Sequence, residues 1–101
     1  MYKTIYKHYE SCYEKHGDCA KGVDWPNEQG AQVRHDVMLG ILEGWPGDKE
    51  VSILDFGAGC GHLKQRIDSR GMNNVRYSAL DISRKYCDIL EQKHPGIDVY
   101  N

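Results

Sequence analysis

Two aspartates and a set of alternating glycines carry most of the chemistry that this sequence offers. The run from Val51 to Gly61 reads V-S-I-L-D-F-G-A-G-C-G. Val51, Ile53 and Leu54 suit a buried parallel strand, and Asp55 falls where that strand ends. Gly57, Gly59 and Gly61 follow, and a backbone without Cβ atoms can take positive φ and approach a ligand closely. A strand, a Gly-rich turn and a helix from about His62 is how open α/β sheets build a ligand crevice. A carboxylate beside that turn repels a pyrophosphate and attracts a cation. The dinucleotide fingerprint G-x-G-x-x-G needs its third glycine one place later, where this chain has His62. The pattern D-x-G-x-G-x-G therefore argues for a nucleoside with positive charge on its tail.

A second strand, Val75 to Leu80, closes on Asp81, which stands 20 residues after Gly61. An acidic residue about 20 positions on, at the end of the second strand, is the ribose-binding position of nucleoside-binding α/β folds. One carboxylate can accept from both vicinal hydroxyls. Each feature also has a plainer reading. The glycines can form a tight turn with no ligand, Asp55 can end a strand in water, and Asp81 can start the next helix.

Taken in register, these residues resemble the class I S-adenosylmethionine-dependent methyltransferases. The resemblance covers roughly residues 20–101. It implies a cofactor, S-adenosyl-L-methionine, with a sulfonium, an α-ammonium and no phosphate. It implies Asp55 near the ammonium, and Gly57, Ala58, Gly59 and Gly61 as the turn along the tail. It places Asp81 on the ribose, with Ile82 beside it. The reaction implied is in-line methyl transfer to an O, N or C nucleophile on a small-molecule acceptor, driven largely by positioning. No residue stands out as a general base, and His62, at a helix start, reads as structural. Trp25, Gln29 and Arg34 loosely match the segment before the motif strand in some of these enzymes. There Arg34 could pair with the cofactor's carboxylate; a surface arginine is the competing reading.

The composition admits this class. The chain has 101 residues and a net charge of −2, with no basic patch for nucleic acid. No apolar run is long enough for a membrane span, and the N-terminus lacks a signal-peptide core. A cytoplasmic protein with reduced thiols is expected, and Cys12, Cys19, Cys60 and Cys87 show no pairing pattern. His8, Cys12, His16 and Cys19 are helically spaced, but they lack the paired short spacing of zinc sites. Solvated side chains are expected there, and no metal.

The elements that must position these residues read as follows. Residues 2–16 form an amphipathic helix whose Tyr2, Tyr6, Tyr9 and Tyr13 make one face. That face is expected to pack, rather than to line a substrate mouth. Asn27 caps a helix from Glu28 to about Leu42, with Val33, Val37, Met38, Ile41 and Leu42 as its buried stripe, extended by Trp45. His62–Ser69 is a short helix ended by Arg70-Gly71. Ser83 caps another, to about Lys93, with Tyr86, Ile89 and Leu90 inward. Residues 97–100 begin a third strand.

The expected fold class is α/β: two N-terminal helices, then β-α-β-α-β with a parallel sheet, a partial Rossmann-like methyltransferase fold. Residues 1–50 are the helical lid and substrate region, and 51–101 the partial cofactor-binding domain. Right-handed crossovers put the glycine strand at one edge, where an apolar edge invites pairing. The expectation is a chain truncated after the third strand and inactive alone, or a homodimer or partner chain covering that edge. Rival readings are a non-enzymatic cofactor-binding module and an NAD-dependent oxidoreductase fragment.

Overall fold

A computed structural model describes residues 2–101, with side chains from residue 3 onward. The order is α1 (Tyr2–His16), a 3₁₀ turn (Lys21–Val23), α2 (Glu28–Leu39), a second 3₁₀ turn (Gly40–Leu42), β1 (Val51–Phe56), α3 (His62–Ser69), β2 (Val75–Leu80), α4 (Arg84–Lys93) and β3 (Asp98–Tyr100). The chain is thus α/β, and its three strands are parallel in the order β1-β2-β3. Val51 lies opposite Val75, Phe56 opposite Leu80, and Leu80 opposite Tyr100. This arrangement is compatible with a Rossmann-like sheet, with β1 and β3 at its two edges. Among the described residues no helix is long and apolar enough to cross a membrane.

One face of the sheet is clad. Tyr77 and Ala79 of β2 pack with Leu63 and Ile67 of α3, Leu90 of α4 and Leu39 of α2, and Ile53, Val75 and Val99 join the edge of this cluster. Strand side chains alternate between faces, so Ser52, Leu54 and Phe56 point the other way, and all three are exposed. Leu54 corrects the expectation of a strand buried on both sides: it is 47% exposed. The apolar run V-S-I-L is continuous enough for a doubly covered strand, but α3 and α4 cover only one face.

The buried stripe expected on α2 is also corrected, except at Leu42, which is half-buried against the core. Asn27 caps the helix as expected, accepting from the Gly30 amide at 2.7 Å. The inward positions, however, are Ala31 and Leu39, fully buried, with His35 half-buried between them. Val37 is 72% and Ile41 83% exposed, and Val33, Met38 and Trp45 are exposed too. At about 100° per residue, Val33 lies about 200° around the helix from Ala31, so the period holds and the phase is reversed. A bidentate pair flanks that inward line. Arg66 of α3 donates to both oxygens of Asp36 at 2.8 and 2.9 Å, which turns the Asp36 side of α2 toward α3.

α1 docks on α4. Ser83 donates to Glu10 at 2.5 Å, and the Tyr86 hydroxyl lies 2.5 Å from the Tyr9 carbonyl and 2.9 Å from that of Gly22. Tyr13 meets Tyr86 edge-on. Ser83 also caps α4, accepting from the Tyr86 amide at 3.2 Å.

Gly61 starts α3 in the left-handed region, with φ 78°. A Cβ there would stand 2.8 Å from Leu90 Cδ2 and 3.0 Å from the His94 ring. Gly71, with φ 67°, has nothing within 4 Å of the same position. Gly71→Ala is therefore expected to cost about 1–2 kcal/mol, the left-handed penalty alone. Gly61→Ala should cost about 1–3 kcal/mol more, from the packing conflict. Urea unfolding of both variants checks the difference, and equal costs would remove the packing argument.

Candidate functional site

Strand ends and helix starts converge at the carboxyl ends of β1 and β2. The turn after β1 folds back because the Gly57 and Ala58 amides donate to the Leu80 carbonyl, at 2.8 and 3.2 Å. Gly57, Gly59 and Gly61 all have positive φ. Asp81 then closes the turn from the end of β2. One of its oxygens accepts from the Gly59 amide at 2.9 Å, and the other accepts from the Ser83 amide at 2.9 Å. The side chain is buried, with the residue 7% exposed.

Above this turn lies a cavity of about 450 Å³. Its floor is Asp55, Phe56, Gly57, Ala58 and Gly59, with Leu80, Asp81, Ile82 and Ser83 at the neighbouring strand end. α1 contributes Ile5, Tyr6 and Tyr9, and the following loop contributes Val23 and Trp25. α2 contributes Ala31, His35 and Met38, while His62, Leu63 and Tyr86 complete the wall. Among the described residues two aspartates line this cavity, and no lysine or arginine does.

The residues singled out from sequence are largely brought together. Asp55, Gly57, Ala58, Gly59, Asp81 and Ile82 all line the cavity. Gly61 is buried beneath it. Arg34 does not line it; its guanidinium stacks over the Trp25 ring, 4.9 Å from the centroid. Tyr6 and Tyr9 line the cavity as well as packing, which corrects the expectation of a purely structural tyrosine face. The fourth tyrosine of that face, Tyr2, lies outside the described side chains.

Asp55 accepts a hydrogen bond from the Tyr77 hydroxyl at 2.5 Å. Burial pushes the Asp55 carboxyl above its ordinary value, the Tyr77 bond draws it back, and the charge of Asp81 adds to the rise. Burial, then the charge of Asp55, pushes Tyr77 upward, so it stays a donor. Cys60 is fully buried, and burial with the nearby Asp18 charge pushes its thiol up to about 12. Such a thiol is a poor nucleophile near neutral pH.

A belt missed by sequence reading braces the turn from outside. Asp18 lies 2.7 Å from His62 Nε2 and 2.7 Å from Lys93 Nζ. Lys93 also donates to the Cys60 carbonyl at 2.6 Å. Burial alone would raise Asp18, but bonds from Lys93 and His62 hold it below the usual carboxylate range. The lone signals are His62 after the turn and Lys93 in the last turn of α4; nothing in the spacing announces Asp18. His8 and Cys12, expected to be solvated, gather with Asp24, while His16 and Cys19 stay outside that group.

Comparison with protein-family models, with curated proteins and with solved structures gives no match to this chain.

Burial lowers the pKa of His35 and of His94 from 6.5. Their folded forms resist protonation that the unfolded chain accepts. Stability from this source is complete above pH 6.5 and is lost as pH falls below it. Urea midpoints at about pH 7.5 and about pH 5.5 should show a fall, smaller in the double variant His35→Gln, His94→Gln. An unchanged fall in that variant would assign it elsewhere.

Proposed function

We propose that this chain binds S-adenosyl-L-methionine in the cavity above the glycine turn and serves methyl transfer to a small-molecule acceptor. The carrying observation is the charge of the lining: Asp55 and Asp81, without a lysine or arginine among the described residues. A phosphate-bearing dinucleotide would enter a field of its own sign, and a cationic tail the opposite one. The methyltransferase-like form of the fold belongs to the same proposal, supported by the parallel order β1-β2-β3 with the glycine turn after β1.

The residues fit such a ligand. Nothing lies within 4 Å of a Cβ built at Gly57, so its backbone is open to close approach. An ionised carboxylate offers about four acceptor sites. Asp81 uses two on the Gly59 and Ser83 amides, which leaves the others for ribose hydroxyls. Asp55 is the partner for the ammonium, and Tyr77 fixes its side chain. The bound cofactor would supply an electrophilic methyl group on sulfur. The aromatic and aliphatic wall from Tyr6, Tyr9, Trp25 and Met38 would keep water away and hold the acceptor in place.

Calorimetric titration with S-adenosylhomocysteine and with NAD tests this reading. The first should bind at least about tenfold tighter, a difference of about 1.4 kcal/mol. Asp55→Asn should weaken it by about 1.5–3 kcal/mol, the scale of a bond to a charged group, with circular dichroism unchanged. Equal or tighter NAD binding, or an affinity untouched by Asp55→Asn, would overturn the proposal.

A further inference from the structure

We propose that His8, Cys12 and Asp24 form a binding site for one divalent transition-metal ion of the zinc class. The site lies on the seam between α1 and the loop after the first 3₁₀ turn, and it is independent of the cofactor reading.

His8 and Cys12 are four residues apart on α1, so their side chains share one face. Asp24 comes from the other side of the seam. Its Oδ2 lies 2.9 Å from His8 Nε2, and Cys12 Sγ lies 3.9 Å from the same nitrogen. The three ligand atoms all lie within 4.8 Å of one another. Zinc bonds to such ligands are about 2.0–2.3 Å, which sets tetrahedral ligand-to-ligand edges of about 3.3–3.8 Å. The present separations bracket that range, and small side-chain shifts would meet it. One imidazole nitrogen, one thiolate and one carboxylate form a mixed donor set suited to zinc or cobalt rather than to calcium or magnesium.

A second observation concerns how Asp24 is presented. It is the one non-glycine residue with positive φ, 64°, among the described residues. That conformation ends the first 3₁₀ turn, with the Asp24 amide donating to the Lys21 carbonyl at 3.0 Å, and it leaves the carboxylate facing α1. Charge also distinguishes this cluster from its neighbour. Asp18, Cys60 and His62 are equally close together, but there Lys93 lies 2.7 Å from Asp18 and takes the place of a cation. At Asp24 the partner is His8 itself, 2.9 Å away, and a metal on the ring nitrogen would take the place of that hydrogen bond. Side-chain exposures of 59% and 50% for His8 and Asp24 give an ion access from solvent. Binding would release the Cys12 thiol proton to water, since the thiolate is the ligand. Solvent would supply the fourth position.

The consequence is local to the cavity. Tyr9 follows His8, Val23 and Trp25 flank Asp24, and all three line the cavity. Ligation would lock two of its walls together.

The test uses the untagged, reduced, metal-stripped protein and Co²⁺ alone as the probe. One equivalent should bind, with sulfur-to-cobalt charge-transfer absorption in the near ultraviolet. Cys12→Ser should abolish that band. Asp24→Asn, which tolerates the same backbone conformation, should lower affinity by at least about tenfold. Cys19→Ser and Cys60→Ser should keep the band. Zn²⁺ should raise the thermal midpoint of the native chain and not of Cys12→Ser, whose circular dichroism reports its fold. Absence of one-to-one binding, a band that survives in Cys12→Ser, or one lost in Cys60→Ser would each overturn the proposal.

Discussion

Asp81 is a carboxylate buried at the tip of the central strand, and both of its oxygens are committed to backbone amides. One holds Gly59 in the turn after β1, and the other holds Ser83 at the start of α4. A buried carboxylate is costly without partners, and here its partners are the two segments that define the crevice. The turn cannot lift without stranding that charge, and α4 cannot begin elsewhere. Ser83, fixed in this way, has its hydroxyl free to cap α4 and to reach Glu10 of α1. The floor and one wall of the cavity thus depend on a single side chain. The same side chain retains acceptor capacity toward the cavity, so scaffold and binding group coincide.

Much of this was legible in the residues. The glycine turn announces itself because positive φ at three alternate positions restricts the choice of residue, and Asn27 and Ser83 declare helix starts by the chemistry of capping. α3 and α4 follow directly from their apolar spacing. The role of Asp81 as a clamp was not legible, because it depends on residue 59 and residue 81 meeting across two parallel strands. The belt of Asp18, His62 and Lys93 was equally hidden. Its contacts span 44 residues between Asp18 and His62, and periodicity carries no information about such pairs.

The errors on α2 and β1 share a cause. Local pattern reveals that a face is apolar, but not whether anything covers it. On α2 the small Ala31 and the polar His35 face inward and line the cavity, and the Asp36–Arg66 pair joins the helix to α3. Its most apolar stripe, Val33 and Val37, continued by Ile41 of the following 3₁₀ turn, faces water. On β1 the bare side of the sheet leaves Leu54 and Phe56 exposed in the same way. A strand or helix that contacts the core along one narrow line obeys that line, and the apolar residues elsewhere on its surface say little about which side is inside.

The docking of α1 on α4 has a consequence for how the chain matures as it is made. Two anchors of α1 lie far downstream, Glu10 meeting a residue 73 positions on and the Tyr9 carbonyl one 77 positions on, while its contact with Asp24 after the first 3₁₀ turn is local. Synthesis proceeds from the N-terminus at about 5–20 residues per second, so the first helix emerges several seconds before its berth exists. The contacts within β1-α3-β2-α4 are nearer neighbours, and short separations close first. α1 can therefore join its own loop early but reaches α4 only late, and the cavity acquires its roof after its floor is finished.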